Sequence, residues 1–303
     1  ILILAPVEYM DVDGRYRGLD QNIHQANGFT NYTIFSLWDT YRALHPLFNL
    51  IQPQRNSDMA QSMVEHFKQS VHPMLPVWSH YSNENWCMIG YHSVSVIADL
   101  IMKDLYKGDI TEALYACATT AKYAKYDGLG DYMQFGYVPA DHQGSSVSKT
   151  LEYAYDDWAI AQIAKKTNNK ALYDEFQKRS ENYRNTFNPK SGYMHPRNSD
   201  GSFRRQFDPL DTHGQGFIEG NAWNYGLYVP HNINELVGLK GGKKAFESML
   251  DSLFTMHLDD AHIAQNEDIT RDGIIGLYVH GNEPGHHIPY LYNAVDKPEK
   301  TQK

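Results

Sequence analysis

Apolar segments with the helical period, separated by long polar loops, constrain the fold of this 303-residue chain more than any other feature. The loops are rich in Gly, Asp, Trp and His and recur at intervals. The sequence shows no βαβ rhythm, no series of alternating strands and no Gly-rich phosphate loop. The pattern predicts an all-α fold of helical hairpins with functional groups on the loops, because long loops inside compact domains usually carry function.

The helical segments are placed by their apolar faces and by one capping signature. Asp109-Ile110-Thr111-Glu112 is a capping box that uses Asp as the N-cap. Residues 1–32 are predicted as an irregular, turn-rich lead-in. The predicted helical faces are Thr33–Leu44, Met59–Phe67, Val94–Met102, Leu114–Ala121, Val147–Ala161, Leu172–Phe187, Phe246–Leu253 and a last one that begins near His286.

Charge and composition exclude several classes of function. The formal charge of -9 argues against a nucleic-acid partner, which would need basic clusters. No apolar run reaches the ~18 residues expected of a membrane span. The opening Ile1–Pro6 lacks an initiator Met and the features of a signal peptide, so the chain reads as one that begins in mid-structure. Cys87 and Cys117 define no disulfide framework or metal spacing and are expected as buried free thiols.

The stretch Phe217–Tyr225 holds a single carboxylate, Glu219, among apolar and aromatic residues, with Gly214, Gly216 and Gly220 close by. Burial of such a carboxyl disfavours its charged form, so its pKa rises and it can hold a proton near neutral pH. A general acid needs this property. The alternative is a Glu that hydrogen-bonds to a turn, since structural networks also perturb pKa values.

Trp38 and Asp39 form a second candidate site. Aromatic residues make up 13% of the chain, which suits flat sugar faces, although Tyr and Trp also fill interiors. A Trp ring can cover sugar C–H groups while the neighbouring Asp accepts hydrogen bonds from hydroxyls. The alternative is a core Trp38 with Asp39 paired to Arg42.

Other polar residues on predicted helices have structural interpretations. His92 is a lone histidine, which is more often a satisfied core residue than a ligand. Glu152, Asp156 and Asp157 lie on one helix, and a solvated or salt-bridged face is expected for them.

Five stretches of the chain, in the right order and spanning nearly all of it, resemble glycoside hydrolase family 92. The members of this family are calcium-dependent, inverting exo-α-mannosidases. The matching stretches are Asn31–Pro46, Cys87–Ser93, Glu152–Trp158, Glu219–Tyr225, and His280–Pro284 followed by His286-His287.

The resemblance implies an (α/α)6 toroid of helical hairpins as the catalytic domain, normally preceded by a β-sandwich. Residues 1–303 would be part of this one domain, without the sandwich and incomplete at the C-terminal end. N-terminal and C-terminal parts of the same enzyme would then be missing.

The resemblance also implies roles for individual residues. Glu219 would be the general acid, and Trp38 and Asp39 would belong to the subsite for the terminal mannose. Glu283 would be a direct ligand of Ca²⁺, a hard cation that takes oxygen donors. The ion would bind O2 and O3 of the mannose and help to distort the ring.

Four further residues are implied around the sugar. Asn266 and Glu267 would lie near the leaving-group sugar, where α-1,2-specific members carry a His-Glu pair, so α-1,2 specificity does not follow here. His286 and His287 would support the site or contact sugar hydroxyls, since imidazole is a poor calcium ligand.

The family's general base is an aspartate in a Gly-Asn-Asp-Asp-like motif, and no such motif occurs in this sequence. An inverting glycosidase needs a second carboxylate roughly 6.5–9.5 Å from the acid. Loss of a general base costs about 10²–10⁴-fold in rate. The 303 residues alone are therefore predicted to be inactive or nearly so.

Three functions follow as expectations. The first is an exo-α-mannosidase that acts on terminal mannose of N-glycans or mannan. The second is a non-catalytic, calcium-dependent mannose-binding module, and the third is another (α/α)6 glycosidase, which fits the helices but not the motifs. Family habit predicts a periplasmic, secreted or cell-surface location.

Overall fold

The computed structural model describes residues 5–259, residue 262 and residues 273–303. The described chain is mainly helical, and its strands are short antiparallel pairs. It divides into two compact units, the first formed by Ile1–Gly130 and Asp156–Ser180, the second by Asp131–Tyr155 and Glu181–Lys303. The helical class is as predicted, and the six-hairpin toroid without a sandwich stays a prediction.

Eight helices occur in the described residues up to Ser180. Two of them, α6 and α7, contain points where the chain passes from one unit to the other. The helices are α1 (Leu37–Thr40), α2 (Leu44–Ile51), α3 (Pro53–Gln69), α4 (Ser93–Met102), α5 (Ile110–Thr120), α6 (Leu129–Phe135), α7 (Ser146–Lys166) and α8 (Lys170–Arg179).

Local side-chain caps explain where two of these helices begin. The Asp109 carboxylate accepts hydrogen bonds from the backbone N–H groups of Thr111 and Glu112, so the predicted start of α5 is confirmed. The Asn169 side chain accepts from the N–H of Leu172 at the start of α8.

The first unit differs from the sequence prediction between residues 5 and 44. Two short strand pairs lie in the predicted irregular lead-in, and the turn Asp11–Gly14, just before Arg15, ends on Gly14 at a φ of +82°. Thr33–Leu44 is not one helix, because Ile34 has a φ of +63° and the chain turns there before α1. The strands of this unit are β1 (Val7–Glu8) with β4 (Tyr32–Thr33), β2 (Arg15–Arg17) with β3 (Ile23–Gln25), and β5 (Ser79–His80) with β6 (Asn83–Glu84).

The predicted apolar face of α3 is confirmed, since Met59 and Met63 are fully buried. Cys117 is a buried free thiol as predicted, and burial raises its pKa. Cys87 is also free but exposed, so that part of the prediction is wrong. Cys87 lies in a turn after Trp86. The backbone contacts of this turn, and not packing in the core, set its position.

Within its described residues, the second unit contains two more hairpins and three more α-helices. Its loops also form 3₁₀ turns, including one over the predicted last helix. Its elements are the 3₁₀ turn Asn182–Thr186, β7 (Phe187–Asn188) with β8 (Tyr193–Met194), the 3₁₀ turn Tyr225–Leu227, α9 (Ile233–Leu239), α10 (Lys243–Thr255), β9 (Ile274–Ile275) with β10 (Tyr278–Val279), the 3₁₀ turns Glu283–Gly285 and Ile288–Val295, and α11 (Pro298–Thr301).

Aromatic side chains provide much of the buried volume of the second unit. Tyr132, Tyr153, Tyr183 and Tyr225 are fully buried, as is Phe246 of α10. Within the ranges that the structure describes, no helix is both long and apolar enough to cross a membrane.

Two fully buried histidines in the first unit make its stability sensitive to acid. Burial lowers the pKa of His45 to about 4 and that of His66 to about 3, from 6.5. Below pH 6.5 the unfolded chain takes up protons that the folded chain refuses. Each imidazole therefore contributes stability above pH 6.5 that is lost at about 1.4 kcal/mol per pH unit until the folded pKa is reached.

We expect His45→Asn to lose less free energy of unfolding than the wild type between pH 6.5 and pH 4.5, measured by urea denaturation. Asn can still donate to Asn56 Oδ1, which lies 2.6 Å from His45 Nδ1. His80→Asn is the control, since His80 is exposed and its ring is not desolvated. Equal acid sensitivity of the wild type and His45→Asn would contradict the prediction.

Candidate active site

The Glu219 turn lies in a loop of the second unit and is held by its own polar residues. Asn221 Oδ1 accepts from the backbone N–H groups of Trp223 at 3.0 Å and Asn224 at 3.1 Å. Asn221 Nδ2 donates to the carbonyl of Leu210 at 3.0 Å. These bonds form an Asx-type turn that fixes the loop immediately after Glu219.

Glu219 itself has a φ of +47°, in the left-handed region. A residue with a long side chain is uncommon there, and such strain costs on the order of 1–3 kcal/mol. It persists only where the surrounding contacts determine the backbone. Strained residues of this kind cluster at functional sites.

The first turns of α7 hold the residues before and after Glu219. The N–H of Val147 donates to the carbonyl of Gly216 at 2.9 Å, and the N–H of Ile218 donates to Ser148 Oγ at 3.1 Å. The hydroxyl of Tyr225 donates to the carboxylate of Glu152. We call these α7 contacts the α7 clamp, because they fix both sides of the turn.

The acidic residues of α7 differ from the solvated face that the sequence allowed for them. Glu152, Asp156 and Asp157 are fully buried, so they do not form a solvated face. The salt-bridged alternative is right for Asp157, which pairs with Arg179, while Asp156 accepts a hydrogen bond from His92 Nδ1. Their hydrogen-bonding partners replace the water that the carboxylates lose.

Two side chains that pack closely against the backbone of residue 216 explain why this residue is a glycine. Gly216 has a φ of +86°, and a Cβ there would lie 2.9 Å from Pro196 Cγ and from Val147 Cγ2. The clamp therefore needs a residue without a side chain at this point.

The sequence prediction that Glu219 is buried is wrong. Phe217, Ala222 and Tyr225 are buried, but Glu219 is exposed. The reason is local: the apolar residues of the stretch pack inward, and the left-handed turn brings Glu219 to the surface.

The structure brings Glu219 together with the loop of Glu283. Asn282 Nδ2 donates to the backbone carbonyl of Glu219. Residues of both loops line one small cavity of about 30 Å³. That is space for about one water molecule or ion.

Two buried oxygens of this cavity's lining residues have no hydrogen-bond partner among the described residues. They are Oδ1 of Asn224 and Oδ1 of Asn282. Their amide nitrogens are engaged, that of Asn224 with the carbonyl of Leu277 at 2.9 Å. Buried polar atoms normally find a partner, so these two oxygens mark a demand for a donor or a cation.

His286 and His287 lie in the same unit, and a ring nitrogen of each forms a hydrogen bond with a backbone carbonyl. His287 Nε2 lies 3.0 Å from the carbonyl of Leu227, and its ring meets Tyr228 edge-on at 5.7 Å. His286 Nε2 lies 3.1 Å from the carbonyl of His280. These bonds fix the orientation of both rings beside the Glu283 turn.

The atoms near Glu283 that could bind a metal are mainly oxygens of separate residues. Among the residues that the structure describes, no group of three or more His, Cys, Asp and Glu could hold a metal. A calcium site would therefore have to combine the Glu283 carboxylate with amide or carbonyl oxygens, which hard cations accept. The two unpartnered Asn oxygens are donors of that type.

Trp38 and Asp39 lie in the first unit, on the single-turn helix α1. Trp38 is only 2% exposed, and the guanidinium of Arg42 lies 4.9 Å from its ring centroid. Arg42 Nε also donates to the carbonyl of Trp38 at 2.9 Å. The Trp38 ring is therefore part of the core, as the alternative interpretation predicts, while Asp39 is half-buried. Asn266 and Glu267 lie outside the described residues.

Sequence reasoning missed Ser148 and the structural roles of Glu152, Asn221 and Asn282. Glu152 and Asn282 lie within motifs that were recognised, so their presence was a usable signal. Their partners are distant in sequence, 73 residues for Glu152 and 63 for Asn282. Local patterns do not reveal such pairs.

The sequence model of the glycosyl hydrolase family 92 catalytic domain matches residues 2–303. A curated relative, an uncharacterised secreted glycosidase of Arthroderma benhamiae, is 25% identical over 249 residues, which cover 68% of this chain and 30% of the relative.

Two solved structures from Bacteroides thetaiotaomicron are similar throughout. One is a family GH92 α-mannosidase, 49% identical, with a TM-score of 0.92 over 99% of this chain and 39% of its own. The other is a family GH92 inverting mannosidase, 33% identical, with a TM-score of 0.86 over 99% of this chain and 42% of its own. The first has also been solved in complex with mannoimidazole. This chain thus spans about two-fifths of the length of these solved relatives.

We expect Gly216→Ala to lower the free energy of unfolding by about 1–3 kcal/mol more than Gly214→Ala. Gly214 is the matched control, because its φ is +65° but a Cβ there meets nothing within 4 Å. Both variants carry the backbone strain, and only Gly216→Ala adds the clash. Urea denaturation measures the difference, and equal losses would show that the clamp tolerates a side chain.

Proposed function

The chain belongs to glycosyl hydrolase family 92, and on this basis we propose that it forms part of an inverting exo-α-mannosidase that hydrolyses terminal α-mannosides of N-glycans or mannan. The solved relatives are mannosidases, which supports the substrate class. The observation that carries the proposal is the hydrogen bond from the Asn282 amide to the carbonyl of Glu219. It joins the loop of the candidate acid to the loop of the candidate calcium ligand.

In this proposal Glu219 protonates the glycosidic oxygen as it leaves. Its exposure makes the carboxyl reachable for a substrate. A mannoside seated against it would exclude water, and desolvation raises the pKa of a carboxyl. The α7 clamp and Asn221 hold the acid in place, which proton transfer requires, since the donor must lie within hydrogen-bond reach of the oxygen.

We propose Glu283 as a direct ligand of Ca²⁺. The surroundings fit a hard cation, because unpartnered amide oxygens of Asn282 and Asn224 lie on the lining of the adjoining cavity. When bound, the ion would hold O2 and O3 of the mannose and favour distortion of the ring towards an oxocarbenium-like transition state. The hydrogen bond from Asn282 would then hold the loop of Glu283 in a fixed position against the turn of Glu219.

The remaining sequence-predicted residues take roles around the sugar in this proposal. Trp38 and Asp39 would form the subsite of the terminal mannose, with the Asp39 carboxylate as the hydroxyl acceptor. His286 and His287 would contact hydroxyls or support the metal loop. Asn266–Glu267 would face the leaving-group sugar.

An inverting reaction also needs a base that activates water on the opposite face of the sugar. The family's Gly-Asn-Asp-Asp-like motif does not occur in these 303 residues. We propose that the base comes from outside this sequence and that the 303 residues alone turn over slowly. A periplasmic, secreted or cell-surface location is proposed as well, with support from the secreted relative of Arthroderma benhamiae.

We expect Glu219→Gln to slow the hydrolysis of an unactivated mannobiose by about 10²–10⁴-fold in the protein that carries this chain. An aryl α-mannoside with a good leaving group needs less protonation, so its rate should fall less. Released mannose is measured for both substrates, and ¹H NMR of the wild-type reaction should show the β-anomer first.

Glu299→Gln is the matched control, because Glu299 is an exposed glutamate on α11 and the chemical change is the same. Wild-type rates of Glu219→Gln on mannobiose would reject Glu219 as the acid. Calcium-dependent mannose binding by the wild type without any hydrolysis would instead favour the binding-module alternative.

We expect EDTA to abolish hydrolysis of the aryl α-mannoside and added Ca²⁺ to restore it. Glu283→Gln removes one anionic oxygen ligand, so calcium affinity measured by isothermal titration should fall at least roughly tenfold. Glu299→Gln should bind the ion as the wild type does. Unchanged calcium affinity in Glu283→Gln would exclude Glu283 as a ligand.

A further inference from the structure

We infer that a column of stacked side chains, anchored on the buried pair Asp156 and His92, positions the helix that carries Trp38 and Asp39. The column runs from His92 through Tyr41 and Arg42 to Trp38, and all of these residues lie in the first unit. The functional consequence rests on the proposed role of Trp38 and Asp39 as the mannose subsite.

The anchor is a fully buried and well-satisfied carboxylate. Asp156 accepts hydrogen bonds from His92 Nδ1 at 2.8 Å and from the backbone N–H of Tyr91 at 2.8 Å. The adjacent Asp157 accepts from the Tyr91 hydroxyl at 2.8 Å and from Arg179 Nε at 2.9 Å. Removal of a partner from such a buried network is costly, so the imidazole has one orientation.

The backbone beside His92 fixes the same ring from another side. Gly90 has a φ of +82°, and a Cβ there would lie 2.2 Å from His92 Nε2. The carbonyl of Gly90 accepts from the Tyr126 hydroxyl at 2.8 Å. The position of the imidazole therefore requires a glycine at residue 90.

The imidazole supports an ordered stack. The Tyr41 ring lies on that of His92, with centroids 4.2 Å apart and an interplanar angle of 15°. The Arg42 guanidinium lies 4.7 Å from the Tyr41 centroid and 4.9 Å from that of Trp38. Aromatic and cation–π contacts of this kind stabilise the arrangement of the four side chains.

The helix α1 needs such support because it is too short to be stable alone. It has only four residues, Leu37–Thr40, and no side chain in the described part of the chain caps its N-terminus with a hydrogen bond. A single helical turn does not repay the entropy of its own nucleation. Arg42 closes the end of this turn by donating to the carbonyl of Trp38. Tyr41 and Arg42 are thus positioning residues for Asp39.

The test compares Tyr41→Leu, which removes the stack, with Tyr41→Phe, which keeps it. The protein that carries this chain is labelled with 5-fluorotryptophan, and Trp38→Phe assigns one of its ¹⁹F resonances. We expect Tyr41→Leu to shift or broaden the Trp38 resonance and Tyr41→Phe to leave it in place. For an aryl α-mannoside, Tyr41→Leu should raise KM roughly three- to tenfold with kcat within about twofold, since ground-state binding is lost.

A second pair of variants keeps the test decisive if Tyr41→Leu fails to fold. Gly90→Ala displaces His92 and should shift the same resonance and raise KM. Gly28→Ala is its control, because Gly28 has a φ of +79° but a Cβ there meets nothing within 4 Å.

An unchanged Trp38 resonance and an unchanged KM in Tyr41→Leu or Gly90→Ala would overturn the inference. Loss of thermal stability alone would do the same, since it would reduce Tyr41 to ordinary core packing. The ¹⁹F readout needs no turnover. A wild-type protein that neither hydrolyses nor binds mannosides would refute the proposed function, while the resonances would still decide whether the stack positions Trp38.

Discussion

Three carboxylates on α7 are removed from water, and much of the structure depends on the hydrogen bonds that replace this water. Glu152, Asp156 and Asp157 are fully buried, and a buried carboxylate is tolerable only when hydrogen bonds replace its water. Each one therefore fixes a partner. Glu152 holds Tyr225 next to the Glu219 turn in the second unit, and Asp156 holds His92 in the first. The same requirement thus orders the candidate acid loop and, through stacking, the helix of Asp39.

The candidate acid turn combines strain with rigidity. Glu219 is in the left-handed region and Gly216 sits where a side chain does not fit. Neither feature favours folding locally, so the contacts of Ser148, Asn221 and Asn282 must determine the backbone. An acid held in this way needs little rearrangement when a sugar arrives, because preorganised groups avoid that cost during the reaction.

Sequence patterns were sufficient where the determinants are local. The N-cap at Asp109 and the apolar face of α3 follow from neighbouring residues, and both are present. Patterns failed at Glu219, because apolar neighbours indicate a buried stretch but not which residue of a turn faces outward. They left Asp156 open between a solvated and a salt-bridged state, since its partner His92 lies 64 residues away in the sequence.

The Glu283 loop shows how satisfied and unsatisfied groups carry different information. Polar atoms such as those of Asn221 have partners, and they explain the geometry of the loop. Oδ1 of Asn224 and Oδ1 of Asn282 have none among the residues that the structure describes, although both are buried beside a cavity of about 30 Å³. Folding leaves such oxygens desolvated only at a cost of about 1–3 kcal/mol each. A cation or a water in that cavity would remove this cost, and the adjoining Glu283 is the ligand proposed for a cation. The stability of the loop and the binding of the metal would then have one physical cause.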